Sequence, residues 1–83
     1  MSKIEKLVFV LLSGKSDSDI SFWELKTILE YFGFECVRIR GSHHIYVKEG
    51  VDEIINIQPK GSKAKPYQVK QVRNLLFKYR KIK

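Results

Sequence analysis

The spacing of apolar residues changes at Gly33, and that change limits the folds open to the chain. Before it, Leu25, Ile28, Leu29 and Phe32 recur with the period of a helix. After it, Val37 and Ile39 alternate with Arg38 and Arg40, and Ile45 and Val47 alternate with His44, Tyr46 and Lys48. A period near 3.6 lays a stripe along a helix, whereas a period of 2 sends neighbours to opposite faces of a strand. Gly41-Ser42 separates the two alternating runs, which therefore read as a β-hairpin. A turn over Glu49–Glu53 and a third strand over Ile54–Gln58 follow.

The helical parts carry their own boundary signals. Ser21 and Glu24 have capping-box spacing, Ile20 and Leu25 have staple spacing, and Gly33 supplies a left-handed C-terminal cap. Ile4, Leu7, Val8, Leu11 and Leu12 predict a further short helix over residues 3–13, joined by the polar stretch Ser13–Asp19. After a basic loop, Lys60–Lys65, Pro66 opens a last helix with Val69, Val72, Leu76 and Tyr79 as its stripe. Lys70, Asn74, Lys78 and Lys81 face elsewhere. With 83 residues the chain is read as a single domain over 1–83. The predicted class is α+β in the order ααβββα, a three-stranded antiparallel sheet with helices packed on one face.

Directly opposed residues of an antiparallel pair share a face, so the turn length decides which histidine points where. A two-residue turn, Gly41-Ser42, would set Arg38 against Ile45, a charge against a residue assigned to the core. A three-residue turn, Gly41-Ser42-His43, sets Ile39 against Ile45 and Val37 against Val47 on the core side, and is the predicted register. Ile57 and Ile55 then lie beside Ile45 and Val47. Arg38, Arg40, His44, Tyr46, Lys48, Asn56 and Gln58 share the outer face, with Arg40 opposite His44 and with His43 in the turn. Such a face offers cations for phosphates, a ring for stacking and amides for base edges. A solvated sheet face is also polar.

The charge is asymmetric. Sixteen Lys and Arg against nine Asp and Glu give a net +7, and every acid lies at or before Glu53. Lys60, Lys63, Lys65, Lys70, Arg73, Lys78, Arg80, Lys81 and Lys83 follow without an acid among them. That suits a polyanion such as nucleic acid, and equally a face kept soluble by like charge. Cys36, the only cysteine, has no partner for an internal disulfide or a zinc site, and reads as a small hydrophobe at the start of a strand. The apolar run Leu7–Leu12 is too short for a signal peptide core or a membrane span. The protein is expected to be cytoplasmic.

Gly33-Phe34-Glu35, the segment Arg38-Ile39-Arg40-Gly41-Ser42-His43-His44-Ile45-Tyr46, and Gln58-Pro59 through Lys65-Pro66 with the following helix resemble the HicA toxin family of bacterial toxin–antitoxin modules. The resemblance runs from about Ile20 to Phe77, leaving residues 3–13 as an added N-terminal helix. It implies a fold like that of double-stranded-RNA-binding domains, an mRNA interferase activity and neutralisation by a HicB antitoxin. It also implies that His44 is the catalytic residue. Arg38, Arg40, Gly41, Ser42, His43, Tyr46, Lys48, Lys60, Lys63 and Lys65 are then candidates for RNA contact, with Lys70 and Arg73 further along the backbone track.

The expected chemistry needs no cofactor and no metal. His44 takes the proton of a ribose 2′-hydroxyl, the alkoxide attacks the adjacent phosphorus, and a 2′,3′-cyclic phosphate results. Arg40 would hold the phosphate. Tyr46, Lys48, Lys60 or water would protonate the leaving 5′-oxygen. The free protein is expected to be a monomer. Two other readings are a non-catalytic RNA-binding domain of the same fold and an interaction module whose basic face meets an acidic protein.

Overall fold

Each of the first two helices is opened by a serine that satisfies free N–H groups of the first turn. In the computed structural model, which describes Ser2–Tyr79, helix α1 spans Lys3–Ser13 and α2 spans Phe22–Tyr31. Ser2 and Glu5 cap α1 reciprocally, at 2.8 and 3.2 Å, and Ser21 and Glu24 cap α2 at 2.9 and 3.0 Å. Gly14 ends α1 in the left-handed region at φ 72°. Pro66 opens α3, Pro66–Lys78. Between α2 and α3 lie β1 (Glu35–Arg40), β2 (His43–Lys48) and β3 (Val51–Ile57), followed by β4 (Pro59–Lys60) and β5 (Lys63–Ala64). Arg80, Lys81 and Lys83 of the basic C-terminal run lie outside the described residues.

The class and order agree with the expectation: three antiparallel strands in the order β1-β2-β3, with an α-α-β-β-β-α succession. The basic loop is itself folded. Pro59 pairs with Ala64 and Lys60 with Lys63, making β4 and β5 a small second hairpin. Leu11, Leu25, Ile28, Leu29, Val69, Val72 and Leu75 from the helices bury against Tyr46, Ile55 and Ile57 of the sheet. The staple residue Ile20 is buried as well. In α3 it is Leu75 that reaches the core, while Leu76 and Tyr79 are half-buried.

The predicted register is overturned. Arg40 pairs with His43, Ile39 with His44, Arg38 with Ile45 and Cys36 with Tyr46. The hairpin therefore has the two-residue turn Gly41-Ser42, with Gly41 at φ 60° and Ser42 outside the positive-φ region. That is the residue demand of a II′ hairpin, glycine at the first turn position. Val37 is the extra residue of a bulge between Cys36 and Arg38. It breaks the uninterrupted alternation on which the parity argument depended. Arg38 opposite Ile45 carries no penalty, because both lie on the open face and not against the core.

The second turn also differs. It is Glu49-Gly50, with Gly50 at φ 86°, so β3 begins at Val51 and not at Ile54. Ile57 lies opposite His44, Asn56 opposite Ile45 and Ile55 opposite Tyr46. The helix-covered face thus carries His44, Tyr46, Ile55 and Ile57. The open face carries Arg38, Arg40, His43, Ile45, Val47 and Asn56. Val37 and Ile39, assigned to the core from sequence, are more than half exposed, because β1 is an edge strand whose six residues all face solvent. Cys36, on the same strand, is exposed too.

Three polar contacts tie the helices to the frame. Arg73 of α3 grips Asp17 through both guanidinium nitrogens, at 2.7 and 3.1 Å, and donates to the Leu11 carbonyl at 3.3 Å. The buried Gln68 accepts from the Gln58 N–H at 2.9 Å. Glu53 accepts from Lys78 and from the Tyr79 hydroxyl at 2.6 and 2.7 Å, which lowers its carboxyl below the usual range.

The register makes a measurable prediction. Tyr46→Ala removes a fully buried ring and lowers stability by about 3–5 kcal/mol, whereas Ile45→Ala on the open face costs about 1 kcal/mol. Urea midpoints of the two variants check the order, which the sequence-based register would reverse. Burial also pushes the Tyr46 phenol up to about 12, with Cys36 and Glu30 adding to it. Its folded value lies above the unfolded value near 10, so this stability is complete below about pH 10 and lost as pH rises toward about 12. Absorbance titration should find Tyr46 the last of the four tyrosines to ionise. Tyr46→Phe should lose this alkaline step and, freed of a buried hydroxyl without a partner, unfold at higher urea at neutral pH.

Candidate active site

The start of α2 is stitched to the basic hairpin. The Phe22 N–H donates to the Ser62 carbonyl at 3.1 Å, Ala64 N–H donates to the Ile20 carbonyl at 2.9 Å, and Ser21 bridges to Lys63. Against this junction stands His44 of β2. Its ring meets Phe22 edge-on, with centroids 4.8 Å apart and planes at 61°. His44 is half-buried, and its Nδ1 is enclosed with no hydrogen-bond partner. Nε2 is therefore the nitrogen that a substrate can approach. The turn residues Gly41 and Ser42, exposed, lie at the same end of the sheet.

Lys60 and Lys63 face each other directly across β4 and β5. Like charges so opposed repel, and a bound anion relieves the repulsion. Lys63 also donates to the Asp19 carbonyl at 3.2 Å, which holds its ammonium beside the start of α2. Lys65 stands at the N-cap position of α3, where its carbonyl receives the Gln68 and Val69 N–H groups at 2.9 and 3.1 Å.

The open face forms a second group. Arg38, Arg40 and His43 are exposed on it, and Arg40 is the cross-strand neighbour of His43. His43 Nδ1 lies 3.1 Å from the Asn56 side-chain oxygen. An amide oxygen only accepts, so in this bond Nδ1 is the donor.

The site named from sequence is thus divided by the sheet. His44 does not share a face with Arg40, as the rejected register required; Ile39 is its neighbour on β1. Tyr46, expected to stack on a base, is fully buried, with its hydroxyl unpartnered. Lys48, expected on the outer face, turns to the helix side and donates to the Phe32 carbonyl at the end of α2, where the helix dipole favours a cation. Arg73, a candidate for backbone tracking, is committed to Asp17 and Leu11. Gln58 and Asn56 were placed on the outer face from sequence; Asn56 is there and holds His43. Phe22 was missed. It follows the Ser21 cap at i, i+3, i+7 spacing with Leu25 and Leu29, a signal for the apolar side of α2, but only the tertiary packing brings it to His44.

Among the described residues no group of three or more His, Cys, Asp and Glu could hold a metal ion, and no helix is long and apolar enough to cross a membrane.

Comparison with known families gives one match, to the family described as HicA toxin of bacterial toxin–antitoxin, over residues 23–78. The match runs from the second residue of α2 to the last of α3, and leaves α1 outside. No curated protein and no solved structure matches the chain. With more than half of its length matched, and with the helix, hairpin and paired histidines in their order, the chain belongs to the HicA toxin family of bacterial toxin–antitoxin modules.

Proposed function

We infer that the protein is an mRNA-cleaving toxin that uses His44 as a metal-independent general base and is neutralised by a HicB-type antitoxin. One observation carries the base assignment: His44 is half-buried beside the start of α2 with its Nδ1 enclosed, so a single nitrogen, Nε2, is left for a substrate. A base needs that combination of a restrained ring and one open lone pair.

The step balances within the RNA. Nε2 of neutral His44 removes the 2′-hydroxyl proton, the 2′-oxygen forms a bond to the adjacent phosphorus, and the bond from phosphorus to the 5′-oxygen breaks. The products are a 2′,3′-cyclic phosphate and a 5′-hydroxyl, whose proton comes from an acid. Of the candidate acids, Tyr46 is buried and Lys48 is bonded to the Phe32 carbonyl, which leaves Lys60 or water. Lys60, Lys63 and Lys65 on and beside the small hairpin, together with Gly41 and Ser42 at the turn, line the approach for the RNA backbone. Arg38, Arg40 and His43 present cations on the open face for a strand that passes round the hairpin end. In this reading Arg40 binds phosphate beside His43, and does not act next to His44.

The decisive comparison is growth and total mRNA after tightly controlled expression. Wild type should arrest growth with loss of mRNA, and His44→Ala should do neither while keeping its fold. If folded His44→Ala still arrests growth and degrades mRNA, the base assignment fails. If both proteins arrest growth with mRNA intact, RNA binding without cleavage is the better account. In a purified assay, cleavage should persist in excess chelator, and a substrate with a single 2′-deoxy position at the cut should survive. Loss of all cleavage on adding chelator would overturn the metal-independent step. His43→Ala should raise KM more than it lowers kcat. Lys60→Ala should reduce the slope of log affinity against log salt by about 0.7, the loss of one single-strand phosphate contact.

A further inference from the structure

We propose that Phe22 is a positioning residue that fixes the proton of neutral His44 on Nδ1, leaving the lone pair on Nε2. The proposal deepens the reading of His44 as the base and rests on it.

A neutral imidazole carries one proton on one of two nitrogens, and only the bare nitrogen can accept another. In His44 the nitrogen open to a substrate is Nε2, because Nδ1 is enclosed. With the proton on Nε2, the exposed nitrogen would be a donor and could not act as a base. With the proton on Nδ1, an N–H is buried, and no oxygen or nitrogen among the described residues receives it. Catalytic histidines commonly settle this choice with a carbonyl or carboxylate behind the ring. His43 of this chain has such a partner in the Asn56 amide oxygen. The aromatic ring packed against His44 is Phe22, in a T-shaped pairing at 4.8 Å and 61°, and we infer that the enclosed Nδ1 is the edge turned to it. The face of a phenyl ring is the negative part of its quadrupole and receives an N–H in an edge-on arrangement.

Phe22 is held in place from two sides. It is the first residue of α2, directly after the Ser21 capping box, and its own N–H is bonded to Ser62 of the basic hairpin. It is half-buried, with one side packed against the core beside Leu25 and Leu29 and its ring also against His44.

The test reads the tautomer directly. The full chain is labelled with nitrogen-15 and studied near pH 8.5, about two units above the ordinary imidazole value of about 6.5. Ring nitrogen shifts and two-bond proton couplings show which nitrogen carries the proton. Wild-type His44 should carry it on Nδ1, and so should Phe22→Tyr, which keeps the aromatic face. In Phe22→Leu the proton should shift measurably toward Nε2. Phe22→Met, whose flexible side chain fills irregular space, serves if the leucine variant fails to fold. In the aliphatic variant kcat for RNA cleavage should fall about two- to fivefold with KM unchanged, the scale of one weak N–H···π contact, and Phe22→Tyr should restore it. His43, held by Asn56, is the internal control and should not respond. A wild-type His44 protonated on Nε2, or a tautomer that does not move in the aliphatic variant, overturns the proposal. His44→Ala keeps the two readings apart: if it cleaves RNA as wild type does, the base role fails, while the spectrum still decides what Phe22 does to the ring.

Discussion

The β1–β2 ladder runs from Arg40–His43 through Ile39–His44 to Arg38–Ile45, and is closed by Gly41 at φ 60°. With that ladder in place, adjacent histidines are sent to opposite sides of the sheet. His44 goes under α2 with Tyr46, Ile55 and Ile57, and His43 goes to the open face with Arg38 and Arg40. A slip of one residue would exchange the two sets and put Tyr46 in water. The bulge at Val37 lets Cys36 stay opposite Tyr46 while the hairpin end keeps its own register. Core formation and the presentation of His44 are thus two consequences of one pairing.

The basic residues divide in the same way into those that hold the protein together and those that face outward. Arg73 joins α3 to the α1–α2 connection, Lys48 caps the end of α2, and Lys78 pairs with Glu53. Their charges are answered within the fold. The Arg73 pair, with side chains 13% and 24% exposed, fastens the helix that lies outside the matched family stretch to the rest of the domain. Arg38 and Arg40 are exposed on the open face, and Lys60, Lys63 and Lys65 lie on or beside the small hairpin, outside these ion pairs. The net +7 already cancels the Arg73 and Lys78 pairs, and Lys48 is the cation of the three that the fold holds without an acid.

Helix boundaries were legible because their causes are local. Ser2 and Ser21 bond to N–H groups three residues away, Gly14 and Gly33 take left-handed backbone, and Pro66 fits a first turn. The sheet faces were not. Alternation states that Ile45 and His44 point oppositely, but not which of them points inward. Apolarity alone chose wrongly at this step, since the buried set includes a tyrosine and a half-buried histidine while Val37 and Ile39 lie on an exposed edge. The resemblance carried by Gly-Ser-His-His directed attention to His44 despite the faulty register. The sequence-based register points to the same residue, but on a face it does not occupy.

The sequence by itself determined the order of the three helices and three main strands, the Ser21 cap and the family, because each depends on contacts within a few residues or on a short motif. Tertiary structure alone decided the face of each histidine, the burial of Tyr46, the diversion of Lys48 and Arg73 to structural bonds, and the meeting of Phe22 with His44. These join residues 16 to 62 positions apart or depend on a bulge, and so follow from how the helices cover the sheet and not from any local pattern.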